Sequence, residues 1–376
     1  MSPWPVLAVL GAACAAETPA PLLVEAPGRL QVGRQPGQVA VADLDGDGDP
    51  DLVTVTAGSK GMAVLLGDGK GSFARARKIR LGGEVPPDRL ALGDLDGDGR
   101  TDAVIGSHDS NSVRIFLGDG AGGFREAEGS PVEVVSGVSA HNHGVALADL
   151  SADGRLDLLT ANHDASSVSV LLGDGRGGFR PAPGSQFATG RGPYRLPVAD
   201  FDRDGRLDVA TPDVGGNSVT VFRGGADGSL SPAPGSPIPV DPRPFFAGAG
   251  DVQGDGWPDL VLSHDDSEEL TLLLGGESGF SRQASRKVRV GARAGEVVIA
   301  DLDGDGKADL VTGTASHQVV VLLGDGRGGF QPAPGSPFAT GRGPWSLAVA
   351  DLNGDGRLDV VTANSESDDL TLLFGR

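Results

Sequence analysis

Short apolar runs recur along the whole chain and are separated by polar turns. Val39-Ala40-Val41-Ala42 and Leu347-Ala348-Val349-Ala350 each lead into an aspartate-rich stretch. A second run follows that stretch, as in Leu358-Asp359-Val360-Val361-Thr362-Ala363. Next come a polar turn such as Asn162-His163-Asp164-Ala165-Ser166-Ser167 and a third run, Val168-Ser169-Val170-Leu171-Leu172. A glycine-rich turn, Gly173-Asp174-Gly175-Arg176-Gly177-Gly178, ends on Phe179 and opens a fourth extended segment. β-Branched and leucine-rich runs of this length, bounded by Gly, Asn and Asp, read as strands. No stretch holds a 3.6-residue period, so little helix is expected. Four short strands per unit is the content of a propeller blade.

The unit repeats seven times. Its aspartate stretch begins at Asp43, Asp94, Asp149, Asp200, Asp251, Asp301 and Asp351, a period near fifty that points to a propeller or a solenoid. The ends decide between them. The last unit stops at Leu373-Phe374-Gly375-Arg376, before a fourth strand, and Leu22 to Val32 is a fourth strand with no first three. Pairing the two closes a ring and leaves no exposed sheet edge to template aggregation. The sequence therefore predicts an all-β, seven-bladed β-propeller with four-stranded blades, one domain over 22–376, closed by its N-terminal strand. One connection breaks the spacing: Phe124 to Asp149 takes four residues more than its equivalents and contains His141-Asn142-His143.

The aspartate stretch has the chemistry of a cation loop. A hard divalent cation takes six to eight oxygens, and a glycine at the sixth position allows the chain to turn sharply around it. Side chains at positions 1, 3, 5 and 9 and the backbone carbonyl at position 7 can supply those oxygens. The first copy offers Asp43, Asp45, Asp47 and Asp51 with Asp49 at position 7; the second Asp94, Asp96, Asp98 and Asp102 with Arg100. The fourth offers Asp200, Asp202, Asp204 and Asp208 with Arg206; the sixth Asp301, Asp303, Asp305 and Asp309 with Lys307. Position 3 is neutral in the other three. The third copy has Asp149, Ser151, Asp153, Arg155 and Asp157, the fifth Asp251, Gln253, Asp255, Trp257 and Asp259, and the seventh Asp351, Asn353, Asp355, Arg357 and Asp359. Fewer charges mean weaker binding, so the sites at 149–157 and 251–259 rank lowest. Position 12 is never Glu and the flanks are strands, which excludes an EF-hand. All-oxygen ligands disfavour a soft or redox metal. Up to seven Ca²⁺ ions in a structural role are expected, since the loops spend their oxygens on caging the ion.

The Asp-x-Asp-x-Asp-Gly-x-x-Asp stretch, followed by Leu-Leu-Gly-Asp-Gly-x-Gly-x-Phe, resembles the FG-GAP/VCBS repeat of integrin alpha-subunit propellers and of exported bacterial proteins. The resemblance covers nearly everything from Leu22 onward. It implies a seven-bladed propeller, calcium between the first and second strands, and adhesion or ligand binding. Ser151, Gln253 and the irregular turn Gly224 to Leu230 depart from the pattern.

Charge fits this picture. The formal net charge of −20 arises largely in the seven motifs, and seven divalent cations would offset most of it. No basic cluster suggests nucleic acid. Cys14 is the only cysteine and lies in an apolar, small-residue stretch within 1–21. That stretch resembles a secretory leader, and Leu10-Gly11-Ala12-Ala13-Cys14 resembles a lipobox, making Cys14 a candidate for lipid anchoring. The expectation is an exported, monomeric protein at a bacterial surface, with no transmembrane helix.

Ligand contact is expected on the face away from the cation loops. His108, His163 and His264 share a Ser/Asn-His-Asp context and read as equivalent turn residues. His141 and His143 read as part of the four-residue insertion, where a break in a repeat marks a binding face. Tyr194, Phe245 and Trp345 occupy matching blade entrances and read as packing between blades, with sugar stacking as the alternative. No nucleophile, phosphate loop or catalytic constellation can be argued from spacing. The function expected is a non-catalytic surface scaffold for a protein or glycan ligand, with a lectin or a polysaccharide lyase or hydrolase as alternatives.

Overall fold

The computed structural model describes residues 20–82, 85–135 and 141–376. The first blade shows the plan: Pro36–Ala42, Asp51–Thr56, Gly61–Leu65 and Arg77–Arg80 pair antiparallel in chain order. Six further blades follow, with inner strands Arg89–Gly93, Asn142–Ala148, Val198–Ala199, Pro244–Gly250, Ala294–Ala300 and Pro344–Ala350. Among the described residues the only helical pieces are single 3₁₀ turns at Ala57–Ser59 and Arg282–Ala284. No helix among them is long and apolar enough to cross a membrane. The expected leader lies almost entirely outside the described residues, Cys14 with it.

The second strand of every blade starts on the position-9 aspartate, and all of its residues are buried. A run apolar on both faces needs cover on both, and neighbouring blades supply it. The buried side chains form seven hydrophobic clusters, each shared by two adjacent blades. The cluster of Leu352, Val361 and Leu372 with Val39, Leu52 and Leu65 joins the seventh blade to the first. Closure occurs as the sequence predicts, with one refinement. The closing strand is split into Leu23–Glu25 and Leu30–Gln31, both paired with Asp369–Gly375. Other outer strands are split likewise. Where the ladder lapses, a serine hydroxyl accepts the third strand's N–H: Ser130 from Ile115, Ser185 from Val170, Ser236 from Val221 and Ser336 from Val321, at 2.8–3.1 Å.

Hairpin geometry puts the cation loops at one end of the ring. The inner strands enter at the other end, about 20 Å away at 3.3 Å per residue. Two expectations about that far end need correction. His143 is the second residue of the inner strand Asn142–Ala148 and stands six positions before its motif, as Tyr194, Phe245 and Trp345 stand before theirs. Neither His143 nor His141 therefore belongs to the insertion. The four extra residues fall between Val135 and His141, in a stretch outside the described residues. His264 is not equivalent to His108 and His163 either. It is the last residue of the strand Asp259–His264, one position earlier, 1% exposed and bonded to Thr271 Oγ1 and the Pro242 carbonyl.

Candidate functional site

The cation loops are held by one bonding scheme in all seven copies. The position-9 carboxylate accepts the N–H of position 2 on Oδ2 at 2.8–3.0 Å. Its Oδ1 accepts a glycine N–H at the end of the third strand at 2.7–3.0 Å. The position-1 carboxylate accepts the N–H of the position-6 glycine at 2.7–3.0 Å. That glycine has φ between +81° and +88° in every copy, which confirms the need for Gly there. The apolar residue at position 2, such as Leu44 or Phe201, is buried and ties the loop to the core.

These loops fit a hard divalent cation. In the first, second and fourth copies, one oxygen from each of positions 1, 3 and 9 lies within 4.8 Å of the other two. Each engaged oxygen keeps lone-pair capacity for an ion. Burial pushes the position-9 carboxyls upward, to about 6 at Asp208 and Asp359, and neighbouring loop carboxylates add to the push. A bound cation would relieve this repulsion. At position 7 the side chains Arg100, Arg155, Arg206, Lys307 and Arg357 each pair with the position-5 aspartate of their own loop. The two copies expected to be weakest each show a local difference. Gln253 Nε2 reaches Asp255 and Asp259 at 3.4 Å, and Ser151 Oγ is buried without a partner. The fourth copy adds one that motif counting misses. Arg223 stands where other blades carry Leu or Phe, and its Nε lies 2.8 Å from Asp202 Oδ2.

The loops also sit on the seams. The position-2 carbonyl of Leu44, Leu95 and Val252 accepts an N–H from the next blade's glycine-rich turn, at Gly122, Gly177 and Gly328. A cation in one of these loops would therefore stiffen the junction with its neighbour.

The other end is irregular. A register shift interrupts the inner strand of five blades near its start, at Pro36/Val39, Asn142/Gly144, Pro244/Ala247, Ala294/Val297 and Pro344/Ser346. Such bulges re-aim side chains. Residues of two adjacent columns meet at this end around a cavity of about 690 Å³. Tyr194, Phe245, Phe246 and Trp345 line it with Arg89, Arg195, Arg293, His108 and several carboxylates. The aromatics stack: His143 on Tyr194 at 4.4 Å, Tyr194 on Phe245 at 4.1 Å, and Arg293 over Trp345 at 4.6 Å. So Tyr194, Phe245 and Trp345 face the cavity as well as their neighbours.

Sequence reasoning passed over Arg89, Arg195 and Glu296. Arg89 Nε donates to the His143 carbonyl, and its Nη1 lies 2.9 Å from Asp88 Oδ1. Arg195 Nη1 donates to the same carbonyl, while its Nε and Glu296 Oε2 are buried without partners. Burial, with Arg89 alongside, pulls Arg195 down to about 10. The signal was present. Gln38, Arg89, Gly144, Arg195, Phe246, Glu296 and Ser346 occupy one column of the repeat and share no residue type except arginine.

Four histidines gather beside this cavity. His108–His141 and His108–His143 ring centroids are 4.5 Å apart, and His143–His163 4.9 Å. His143 is 5% exposed, and burial, helped by Arg89, pushes it down to about 2, so its ring is neutral.

Comparison with known proteins agrees with this architecture. FG-GAP-like repeats match at 43–105, 94–160, 149–211, 251–312 and 301–362. The unmatched stretch 212–250 contains the irregular turn of the fourth blade. Cartilage acidic protein 1 of Mus musculus is 29% identical over 201 residues, 49% of this chain and 31% of that protein. Integrin alpha-IIb of Mus musculus is 28% identical over 204 residues, 46% of this chain and 19% of that protein. The chain thus spans about a third or less of the length of these relatives. The chain of BBS1N, solved in complex with ARL6DN, superposes with a TM-score of 0.67 at 10% identity, covering 95% of this chain and 97% of that one. An Agrocybe aegerita lectin that recognises non-reducing terminal N-acetylglucosamine gives 0.53 at 20% identity, covering 90% and 94%. Both structures support the fold alone. With family matches over well more than half of its length, the chain belongs to the FG-GAP-like repeat family.

Proposed function

We propose that this chain is a calcium-braced, non-catalytic recognition propeller of an exported surface protein, and that it takes a glycan at the cavity opposite the cation loops. The cavity lining carries the reading. Tyr194, Phe245, Phe246 and Trp345 offer apolar ring faces, and Arg89, Arg195, Asp88, Asp109, Asp265 and Glu366 offer charged hydrogen-bonding groups beside them. A sugar presents a C–H face and an equatorial fringe of hydroxyls, so flat aromatics interleaved with charged groups suit it. Arg195 lines the cavity and its Nε is buried without a partner, a donor that a hydroxylated ligand could satisfy. Calcium acts at a distance, by fixing the seams that hold the blades in register.

The test is a glycan array probed with the chain in millimolar calcium, followed by calorimetry on each hit. Saccharide binding that falls at least about tenfold in Tyr194→Ala, with unchanged melting, supports the reading. No saccharide bound, with a protein ligand recovered instead, would overturn it.

A further inference from the structure

We propose that His108, His141 and His143 form a binding site for a first-row transition-metal cation of the zinc type, at the wall of the cavity and separate from the calcium loops. One ring nitrogen from each lies within 4.8 Å of the other two. They arrive from two blades. His108 follows the second strand of blade two, and His141 and His143 stand at the entrance of blade three. The site therefore straddles a seam.

Nitrogen donors separate this site from the oxygen-only loops. Imidazole suits zinc, copper and nickel, whereas calcium takes oxygen. The surroundings match what such sites need. A metal-binding histidine generally gives its other ring N–H to a carboxylate, which fixes the tautomer and orients the ring. His108 Nδ1 lies 3.0 Å from Asp109 Oδ1, and His141 Nδ1 lies 3.4 Å from Asp164 Oδ2. Asp164 is held in turn by His163, whose Nδ1 is 3.0 Å from Oδ1. Two of the three rings are thus set with Nε2 as the free donor.

His143 supplies an independent sign. It is 5% exposed, and its Nδ1 is buried without a hydrogen-bond partner. An unpartnered buried polar atom costs roughly 1–3 kcal/mol, and a metal in contact with this ring, or a water held by it, would remove that cost. Zinc–nitrogen bonds near 2.0–2.1 Å place tetrahedral nitrogens about 3.4 Å apart, so the three rings must draw together on binding. His108 and His141 have the room to do this, with side chains 47% and 36% exposed. His108 also lines the cavity, which leaves the fourth position for a water or a ligand oxygen from that side. The proposal does not depend on the ligand being a glycan.

The untagged chain, kept in millimolar calcium so that the loops are filled, is titrated calorimetrically with zinc. One zinc per chain, not displaced by excess calcium, is expected. The double variant His108→Gln/His141→Gln should lose at least about a hundredfold in affinity, and Asp164→Asn about tenfold or more. His317→Gln, outside the cluster, should bind as the parent does. Cobalt in place of zinc should give the visible absorption of a tetrahedral nitrogen site, absent in the double variant. Melting in calcium without zinc checks that the double variant folds; if it does not, Asp164→Asn alone decides. Absence of zinc binding would overturn the proposal, as would binding that the variants leave unchanged.

Discussion

At the loop end of the ring, seven aspartates at position 9 make the same two hydrogen bonds. At the mouth, the column that should be equally regular reads Gly37, Asp88, His143, Tyr194, Phe245, Gly295 and Trp345. The same seven hairpins carry both ends. The loop end is alike in every blade because every loop meets the same physical demand, a buried carboxylate and a left-handed glycine, and at three seams it is also tied to the next blade's turn. The mouth faces solvent along a shared axis. Its contacts between blades are not repeated from seam to seam, so each blade can offer a different group to one cavity. In a closed ring, uniform positions report what holds the blades together and non-uniform ones report what the ring presents.

The largest effect should come from emptying the loops. A chelator should lower the melting temperature by about 10 °C or more, since several sites each contribute a few kcal/mol when saturated. Melting that ignores the chelator, with no calcium in the purified chain, would remove the distinction between the two ends. Next, Asp51→Ala should cost about 2–4 kcal/mol in denaturant unfolding, by leaving the buried N–H of Leu44 and the half-buried N–H of Gly67 unpaired. A cost as small as that of an exposed aspartate would show that position 9 is not a latch.

The mouth end has its own test in Asp213, where burial pushes the carboxyl up to about 7 despite hydrogen bonds from Ser218 and Thr220. Its folded value lies above its unfolded value near 3.9. The stability it contributes is therefore complete below about pH 4 and is lost as pH rises through about 7. Asparagine already occupies the matching position at Asn162 and Asn364. Asp213→Asn should gain about 2–4 kcal/mol over the parent between pH 4 and pH 8. Parallel stability profiles for the two proteins would show that Asp213 does not titrate there. The smallest effect concerns the fourth loop. Arg223→Leu should leave stability within about 1 kcal/mol and raise calcium affinity at that loop, read as a gain in bound calcium at limiting concentration. No gain would mean that Arg223 does not compete for Asp202.

Much of this was legible in the residues. The period gave the blade count, and the offset between Leu22 and Arg376 gave the closure. Gly48 and its six equivalents predicted a left-handed turn that the structure contains. What escaped depended on register or on single side chains. His264 sits one position short of His108, and a shift of one along a strand carries a side chain to the opposite face. His143 follows an insertion in sequence but is the second residue of an inner strand, in register with Tyr194, Phe245 and Trp345. Arg223 stands alone in its column, and arginine occurs only twice in the column of Arg89 and Arg195, so a search tuned to repetition discounts them. The bulges near the start of five inner strands follow from pairing, which no local pattern encodes.

The split closing strand has a consequence for the order of events in time. Six seams join residues that leave the ribosome within about a hundred positions of each other. The seventh joins Leu23 to Gly375 and the Gln35 N–H to Asp368 Oδ1. Non-local pairing of this kind is slow, because loop-closure entropy must be overcome before any contact rewards it. Until the last strand arrives, the ring is an open arc with apolar flanks at both ends. The interval between emergence and closure is when this chain is most exposed to aggregation, and calcium already held in the earlier loops would stiffen the arc while it waits.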